Sequence, residues 1–456
     1  MQREHSIRPD HYREIHKLFD YRTNKKAWQD DEPLSLDDKL PDDMPQSYKD
    51  KYKYLKRTYP WLRDYCLYNL SYVSNNAHYL LGQASYRCKH KDYEVLFKSE
   101  PVKEQPSDEQ TSDKDIKENN EFRYPLMRKL ITAGEPQKRE QVTIVLHGLN
   151  EFGFLKYLPW AYGIMLGTEA PVVIFPLAFS INRASQQWAS ERRSNYLPLR
   201  RGIPGNGNVS QFNAILSERL DMHPERFFWG AIQSYWDIVD LVRQIREDKH
   251  PHFARDARVD FLGFSSGGYL ALALLAVDHE ELFSEFSESR ACLFATCVEM
   301  RSLGAGSAFT LDRVVQNTVR KFYVDYVNTQ PNNRMRHWIS DLDHPEGCWL
   351  GSFGGLSPER TQRLNRLREI APRLLGIANC NDRVMPPGAM LDALQGGGRD
   401  TGVRIADLNL GIHEHPFCLS NYILSRENQE KFLKPFDQRY SIELEQFIDL
   451  VVGHLS

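Results

Sequence analysis

Ser265 lies between two glycines in Gly263-Phe264-Ser265-Ser266-Gly267. The apolar run Val259-Asp260-Phe261-Leu262 precedes this string, and a small-residue run with helical character, Gly268 to Val277, follows it. A serine set where a buried strand turns sharply into a helix presents its hydroxyl above the sheet edge. A neutral serine attacks a carbonyl carbon usefully only when a base removes its proton, so the spacing points to nucleophilic catalysis and requires a base. Gly263 and Gly267 let the helix pack close behind the strand, and Ser266 is better placed to offer its backbone N–H than to act as the nucleophile. Two candidate bases stand in Leu410-Gly411-Ile412-His413-Glu414-His415-Pro416-Phe417. His413, which follows a glycine, is preferred over His415. The two histidines could also be a pair of metal ligands on one face of an extended segment, but no third ligand clusters with them. His250 and His252 form a second isolated pair, assigned to a loop.

The elements that must position these groups follow from periodicity. Val142 to Leu146, ending in His147-Gly148-Leu149-Asn150, and Val172 to Phe175, ending at Pro176, are short apolar runs suited to strands buried on both faces of a parallel sheet. Ile232, Tyr235, Trp236, Val239, Val242 and Ile245 mark one face of an amphipathic helix before the Ser265 strand. Ala291 to Val298, Leu374 to Ala378 and Val403 to Leu410 continue the strands, with a short helix over Ala389 to Leu394. A final helix uses Tyr440, Leu444, Phe447, Ile448 and Val451. Alternation of strand and helix predicts an α/β fold with a mostly parallel sheet. The rhythm breaks over residues 300–368, which carry Trp338, Trp349 and Gly351-Ser352-Phe353-Gly354-Gly355 and are expected to be an insertion. Residues 1–92 are expected to be a helical extension, on the helical spacing of Tyr48, Tyr52, Leu55 and Tyr59. Tyr93 to Phe97 and Tyr124 to Ile131 are strand-like, and the polar stretch 99–121 between them is expected to be a mobile loop.

Composition narrows the partners. The 456 residues suffice for a large core, and 58 basic against 61 acidic side chains, a net charge of -3, leave no global field to recruit nucleic acid or an acidic membrane. The seven cysteines, Cys66, Cys88, Cys292, Cys297, Cys348, Cys380 and Cys418, are spread without a C-x-x-C pair and are expected to be reduced, mostly buried thiols. The charged start, Met1-Gln2-Arg3-Glu4-His5-Ser6, has no apolar signal core, and no run reaches ~18 apolar residues. A cytoplasmic protein with no integral membrane segment is expected.

Taken together, the elbow, His147-Gly148 after an early strand, and the order Ser, Asp, His along the chain make residues 93–456 resemble the α/β-hydrolase superfamily, with no subfamily assigned. The resemblance implies a three-layer fold with a mostly parallel sheet of about eight strands, a polar loop at 99–121 and an inserted cap at 300–368. It also implies that Asp382, in Asn381-Asp382-Arg383-Val384-Met385-Pro386 beyond a late strand, orients the histidine and stabilises its imidazolium. Glu299, just past the Ala291 to Val298 strand, is the rival acid. Backbone N–H groups of Leu149 and Ser266 would bind a developing oxyanion, while His147 braces the loop.

The expected chemistry is therefore cleavage of a small-molecule carboxylic ester through an acyl-enzyme on Ser265, with no cofactor and no metal. Thioester or amide cleavage or acyl transfer by the same triad, a non-catalytic scaffold, and a metal-dependent hydrolase using the histidine pair remain open. Other features are weak. Gly202 to Gly207 lacks the residues of a phosphate loop. Arg192, Arg193, Arg200 and Arg201 are expected on a solvated basic face, with an anionic substrate group as the alternative. Trp188, Tyr196, Trp338 and Trp349 are either packing residues or the wall of an acyl pocket.

Overall fold

The computed structural model describes residues 34–35, 46, 50, 53, 65–80, 113–129, 138–151, 153–154, 156–185, 192–207, 209–286, 288–304, 311–327, 334–354, 360–396, 398, 401–414, 416–417 and 429–456. Among them one sheet runs through the molecule. Its strands are β1 (Leu34–Ser35), β2 (Tyr65–Val73), β3 (Glu121–Lys129), β4 (Arg139–Leu146), β5 (Val172–Phe175), β6 (Phe253–Phe264), β7 (Ala291–Phe294), β8 (Leu374–Asn379) and β9 (Arg404–Leu408). Their spatial order is β1-β2-β3-β5-β4-β6-β7-β8-β9. The first three strands join antiparallel, and β3 meets β5 antiparallel; every pairing from β5 to β9 is parallel. One row of partners, Leu146, Gly263, Leu293, Gly376 and Ile405, crosses five parallel strands. Parallel strands end at the same edge, so the loops after β4, β6, β8 and β9 gather there.

Helices cover both faces. On one, α1 (Leu158–Thr168) and α11 (Gln429–Leu455) pack Trp160, Phe447 and Val451 against Val145, Leu262, Phe294 and Ile377. Between α1 and β9 lie α2 (Arg192–Arg201), α3 (Gln211–Met222), α4 (Arg226–Arg246), α5 (Ser266–Val277), α6 (Arg313–Lys321), α7 (Arg334–Ser340), α8 (Pro345–Phe353), α9 (Arg360–Ile370) and α10 (Pro387–Gln395). On the opposite face, Tyr235, Ile238 and Val242 of α4 and Leu270 and Leu274 of α5 lie against Ile144, Val259 and Phe261. Successive side chains of β6 point to opposite faces of the sheet, so Phe261 and Leu262 feed different cores. A third cluster joins Leu220, Trp229, Val319, Tyr323 and Trp338, and so ties the insertion at 300–368 to α3 and α4. This three-layer arrangement with a largely parallel sheet is the α/β-hydrolase fold. No helix among the described residues is long and apolar enough to cross a membrane.

The structure corrects two expectations. Residues 1–92 are not a purely helical extension, because β2 lies within them and pairs along its whole length with β3. Leu70 and Tyr72 are buried while Ser71 and Val73 are exposed, a period-two signal of an antiparallel strand with one wet face. Tyr48, Tyr52, Leu55 and Tyr59 lie outside the described residues, as does the strand expected at Tyr93 to Phe97. The polar stretch 99–121 is not a simple loop at its described end. Asp113–Asp115 and Lys117–Asn120 form helical turns, and Asp113 and Asn119 are buried. Their polarity serves anchoring: Asp113 accepts from Arg219 and Arg226, and Asn119 bonds Gln233, the Phe179 amide and Arg183.

Candidate active site

The chain leaves β6 at Phe264 and enters α5 at Ser266, so Ser265 alone makes the turn, at φ 52° and ψ -119°. Such a backbone is strained for a residue with a side chain, by roughly 1–3 kcal/mol, and persists only where the surroundings dictate it. Here the Ser265 amide donates to the Phe294 carbonyl at 3.0 Å, and its carbonyl accepts from the Gly268 amide at 3.0 Å and from the Thr296 hydroxyl. The glycines are steric necessities. A Cβ at Gly263 would lie 2.6 Å from the Gly267 carbonyl oxygen, and one at Gly267 would lie 2.7 Å from that of His147.

His413 reaches this turn from the loop after β9. Its Nε2 is 2.9 Å from Ser265 Oγ, and its Nδ1 is 2.6 Å from Asp382 Oδ2. A carboxylate can only accept, so the proton resides on Nδ1 and Nε2 is left to accept from the serine hydroxyl. The other carboxylate oxygen, Oδ1, accepts from the amides of Val384 and Met385, both at 2.8 Å. Asp382 thus has one oxygen held by its own loop and one for the imidazole. The ring of His413 also stacks on Phe264, 5.1 Å between centroids. All three residues are buried.

The loop after β4 passes directly over the elbow, since a Cβ at Gly148 would meet Phe264 at 3.0 Å and Ser265 Cβ at 3.4 Å. The Gly148 amide donates to Tyr157 Oη at 3.0 Å. Tyr157 in turn donates to Glu151 Oε1 at 2.7 Å, and Lys156 pairs with the same oxygen at 2.7 Å. Among the described residues the amides of Leu149 and Ser266 meet no acceptor. His147 accepts from the Leu177 amide at Nε2, 2.8 Å, so its Nδ1 carries the proton given to the Gly148 carbonyl at 2.7 Å. Burial pushes its imidazole down to about 4, so this ring is a neutral brace.

The rival groups are occupied elsewhere. Glu299 forms ion pairs with Arg363 and, at 3.1 Å, with Arg301. His415 lies outside the described residues. His250 stacks on Phe253 and bonds Tyr124 at 3.1 Å, while His252 lies 3.1 Å from Arg128; burial pushes the two rings down to about 3 and about 4. No three His, Cys, Asp or Glu side chains among the described residues converge as a metal site. Arg200 is not on a solvated face: it is buried against Asp312 at 2.6 Å and Asp221 at 2.8 Å. Arg201 donates to the Val209 carbonyl, and the side chains of Arg192 and Arg193 lie outside the described residues.

A cavity of about 430 Å³ opens on Ser265, Ser266, Leu149 and His413. The insertion at 300–368 contributes to it through Val319 on α6 and Leu350 on α8, and α3 contributes Ile215, Leu216 and Leu220. Of the aromatic residues proposed from sequence, Tyr196, Trp338 and Trp349 do not line it. Trp338 packs instead on Trp229 and His344, Trp349 lies against the main core, and Phe179, Phe227, Phe228, Tyr269, Tyr323 and Phe353 supply the aromatic wall. Trp188 lies outside the described residues.

Sequence reasoning passed over Asn379, at the tip of β8. Its Nδ2 donates to the Gly411 carbonyl at 2.7 Å, and its Oδ1 accepts from the amides of Asn381 and Leu410. One side chain thereby joins the loop carrying Asp382 to the loop carrying His413. The available signal was an asparagine ending an apolar strand, three residues before the acid.

Fold and edge together define a molecule of α/β-hydrolase architecture. Residues 46–439 match a family described as a family of unknown function (DUF6051), and the chain belongs to it. No curated protein matches the sequence. Among solved structures, the chain is similar to an esterase of Pyrobaculum calidifontis, at 14% identity over 72% of this chain and 81% of that one, with a TM-score of 0.34. A thermostable esterase from Pseudomonas putida aligns at 12% identity over 74% and 80%, TM-score 0.35. An acylaminoacyl peptidase of Pyrococcus horikoshii aligns at 14% over 74% and 40%, TM-score 0.35. Likenesses of this depth assign no role to any residue here.

Proposed function

We propose that the protein is a serine hydrolase that cleaves a carboxylic ester through an acyl-enzyme on Ser265. His413 Nε2 takes the hydroxyl proton as Oγ attacks the carbonyl carbon, and Asp382 holds the resulting imidazolium. The tetrahedral oxyanion sits against the amides of Leu149 and Ser266, then collapses as His413 passes its proton to the leaving alcohol. Water, deprotonated by His413, attacks the acyl carbon; the bond to Ser265 Oγ then breaks as His413 returns the proton to it, and the acid is released. The steps require only these groups and water. The observation that carries the proposal is the hydrogen-bonded line from Asp382 through His413 to Ser265, ending on a strained serine that faces a cavity.

The test is labelling with a fluorophosphonate probe beside a panel of esters of graded acyl length. Wild type is expected to label stoichiometrically and to hydrolyse part of the panel. Ser265→Ala is expected to remain folded and lose both, with turnover down by roughly 10⁶-fold. Stoichiometric labelling of that variant would sink the assignment.

A further inference from the structure

Gly148 precedes Leu149, whose amide is the proposed oxyanion donor, and a glycine has no Cβ to restrict its backbone. The two peptide groups that flank its Cα are each held by a side chain. On one side, the Gly148 carbonyl accepts from His147 Nδ1 at 2.7 Å. That carbonyl and the Leu149 N–H belong to one planar trans peptide, so the N–H points away from His147. Leu149 lines the cavity. On the other side, the Gly148 N–H donates to Tyr157 Oη at 3.0 Å. His147 thus holds one plane and Tyr157 the other.

The Tyr157 hydroxyl is itself oriented. A carboxylate can only accept, so the phenol proton points to Glu151 Oε1, 2.7 Å away, and a lone pair is left for the Gly148 N–H. Lys156 donates to the same carboxylate oxygen at 2.7 Å and offsets its charge. Burial, and next the charge of Glu151, push the phenol well above its ordinary range, so it stays protonated. The backbone anchors both ends of this clamp: the Glu151 carbonyl accepts from the Ile181 amide at 2.9 Å, and the Tyr157 amide donates to the Phe154 carbonyl at 2.9 Å. The buried Tyr157 ring packs edge-on against Trp160, 4.9 Å between centroids. A phenylalanine ring could pack there equally well, but only a hydroxyl reaches Gly148. Tyr157 does not line the cavity, so it can act on a bound ester only through the loop.

We propose that Tyr157, oriented by Glu151 and Lys156, is a positioning residue that aims the Leu149 amide at the oxyanion through its bond to Gly148. The inference rests on the serine-hydrolase reading and adds to it the side chain that sets one of the two donors. Without the hydroxyl, the buried Gly148 N–H loses its acceptor, and the loop must turn to find another. An amide that meets charge only as the tetrahedral intermediate forms contributes to kcat rather than to binding of the ester.

Tyr157→Phe is compared with wild type on the ester that wild type turns over best, at equal folded fraction read from urea denaturation. The expected result is a kcat about tenfold or more lower, as for a small misplacement of a catalytic group, with KM within about twofold. Affinity for a trifluoromethyl ketone with the same acyl group, whose adduct with Ser265 carries the oxyanion, should fall by a similar factor. A kcat lowered by less than about threefold overturns the proposal, as does a loss carried by KM or a ketone affinity that stays level. If Tyr157→Phe does not fold, two variants of Glu151 decide. Glu151→Gln keeps an acceptor for the hydroxyl and should retain a kcat about threefold or more above that of Glu151→Ala, the effect of one ordinary hydrogen bond. Equal kcat in those two overturns the proposal. A wild type that neither labels with a fluorophosphonate nor hydrolyses any ester overturns the serine-hydrolase reading and this inference together. A wild type that does both, beside an unaffected Tyr157→Phe, overturns this inference alone.

Discussion

Two buried carboxylates in this molecule have similar surroundings and different exits. Asp237, on α4, is fully buried: Oδ1 accepts from Ser74 at 2.6 Å and Asn76 at 2.9 Å, and Oδ2 pairs with Arg183 at 2.7 Å. Asp382 is equally enclosed, with Oδ1 on two amides and Oδ2 on His413. Both are satisfied, so burial and hydrogen bonding do not separate them. What separates them is the far side of the partner. Arg183 also donates to the carbonyls of Pro176 and Asn119, so its line ends inside the fold, joining β2 and the 113–120 segment to the central layers. His413 ends on Ser265, a hydroxyl on a strained turn at a cavity wall. A buried carboxylate becomes a candidate for chemistry when its hydrogen-bonded line ends on a group that can meet a ligand.

Substituting each acid tests that contrast. Asp382→Asn should leave the fold nearly intact and lower kcat on a turned-over ester by about 10⁴-fold, because an amide can hold the wrong tautomer of His413. A decrease below about tenfold would place Asp382 with Asp237 as a structural acid. Asp237→Ala should do the reverse: it strands a buried guanidinium and should destabilise the protein by about 3–5 kcal/mol, read from urea denaturation, with kcat little changed in the fraction that remains folded. Asn379→Ala sharpens the comparison from between them. Losing its three bonds should remove about 1–3 kcal/mol of stability and, unlike Asp237→Ala, lower kcat at matched stability, because the acid and base loops lose their link. Equal kcat in those two variants would make Asn379 a packing residue only.

The smallest effect on turnover is expected from histidines that carry no chemistry in the proposed reaction. Burial holds His147 at about 4 and His250 at about 3, whereas an unfolded histidine titrates near ~6.5. Between those limits the unfolded chain binds protons that the folded chain does not. Stability should therefore be fully present above pH ~6.5 and fall on acidification, by up to ~1.4 kcal/mol per pH unit for each histidine. Urea midpoints from neutral to acid pH measure the slope, and His250→Gln should reduce it by one proton. An unchanged slope in that variant would show that His250 is not buried neutral in the folded protein.

The sheet was legible because parallel strands buried on both faces are short continuous apolar runs, as in Val172–Phe175 and Leu374–Asn379. Ser265 and Asp382 were legible because each stands just beyond such a run, where parallel strands end together, and His413 because it follows the last strand, although β9 itself is only partly buried. β2 was not, since its alternation of Leu70, Ser71 and Tyr72 sits in a stretch dominated by polar and aromatic residues. The anchoring role of Asp113 and Asn119 was also hidden, because a polar segment resembles a loop until its distant partners, Arg219, Arg226 and Gln233, are known. Cys292, Cys297 and Cys348 are free and buried as expected, while Cys380 is free and exposed.

The sequence alone determined the alternation of strand and helix, the glycines without which the Ser265 turn could not close, and the order in which serine, acid and histidine follow. Those properties are local, set by side-chain periodicity and by the absence of a Cβ. Tertiary structure decided which acid faces His413, which aromatic side chains wall the cavity, and that two arginines share one carboxylate there. Each of those outcomes depends on contacts between residues far apart along the chain: Ser265 and His413 are separated by 148 positions, Asp113 and Arg226 by 113. Whether such pairs meet is set by how the layers pack, which no local spacing records.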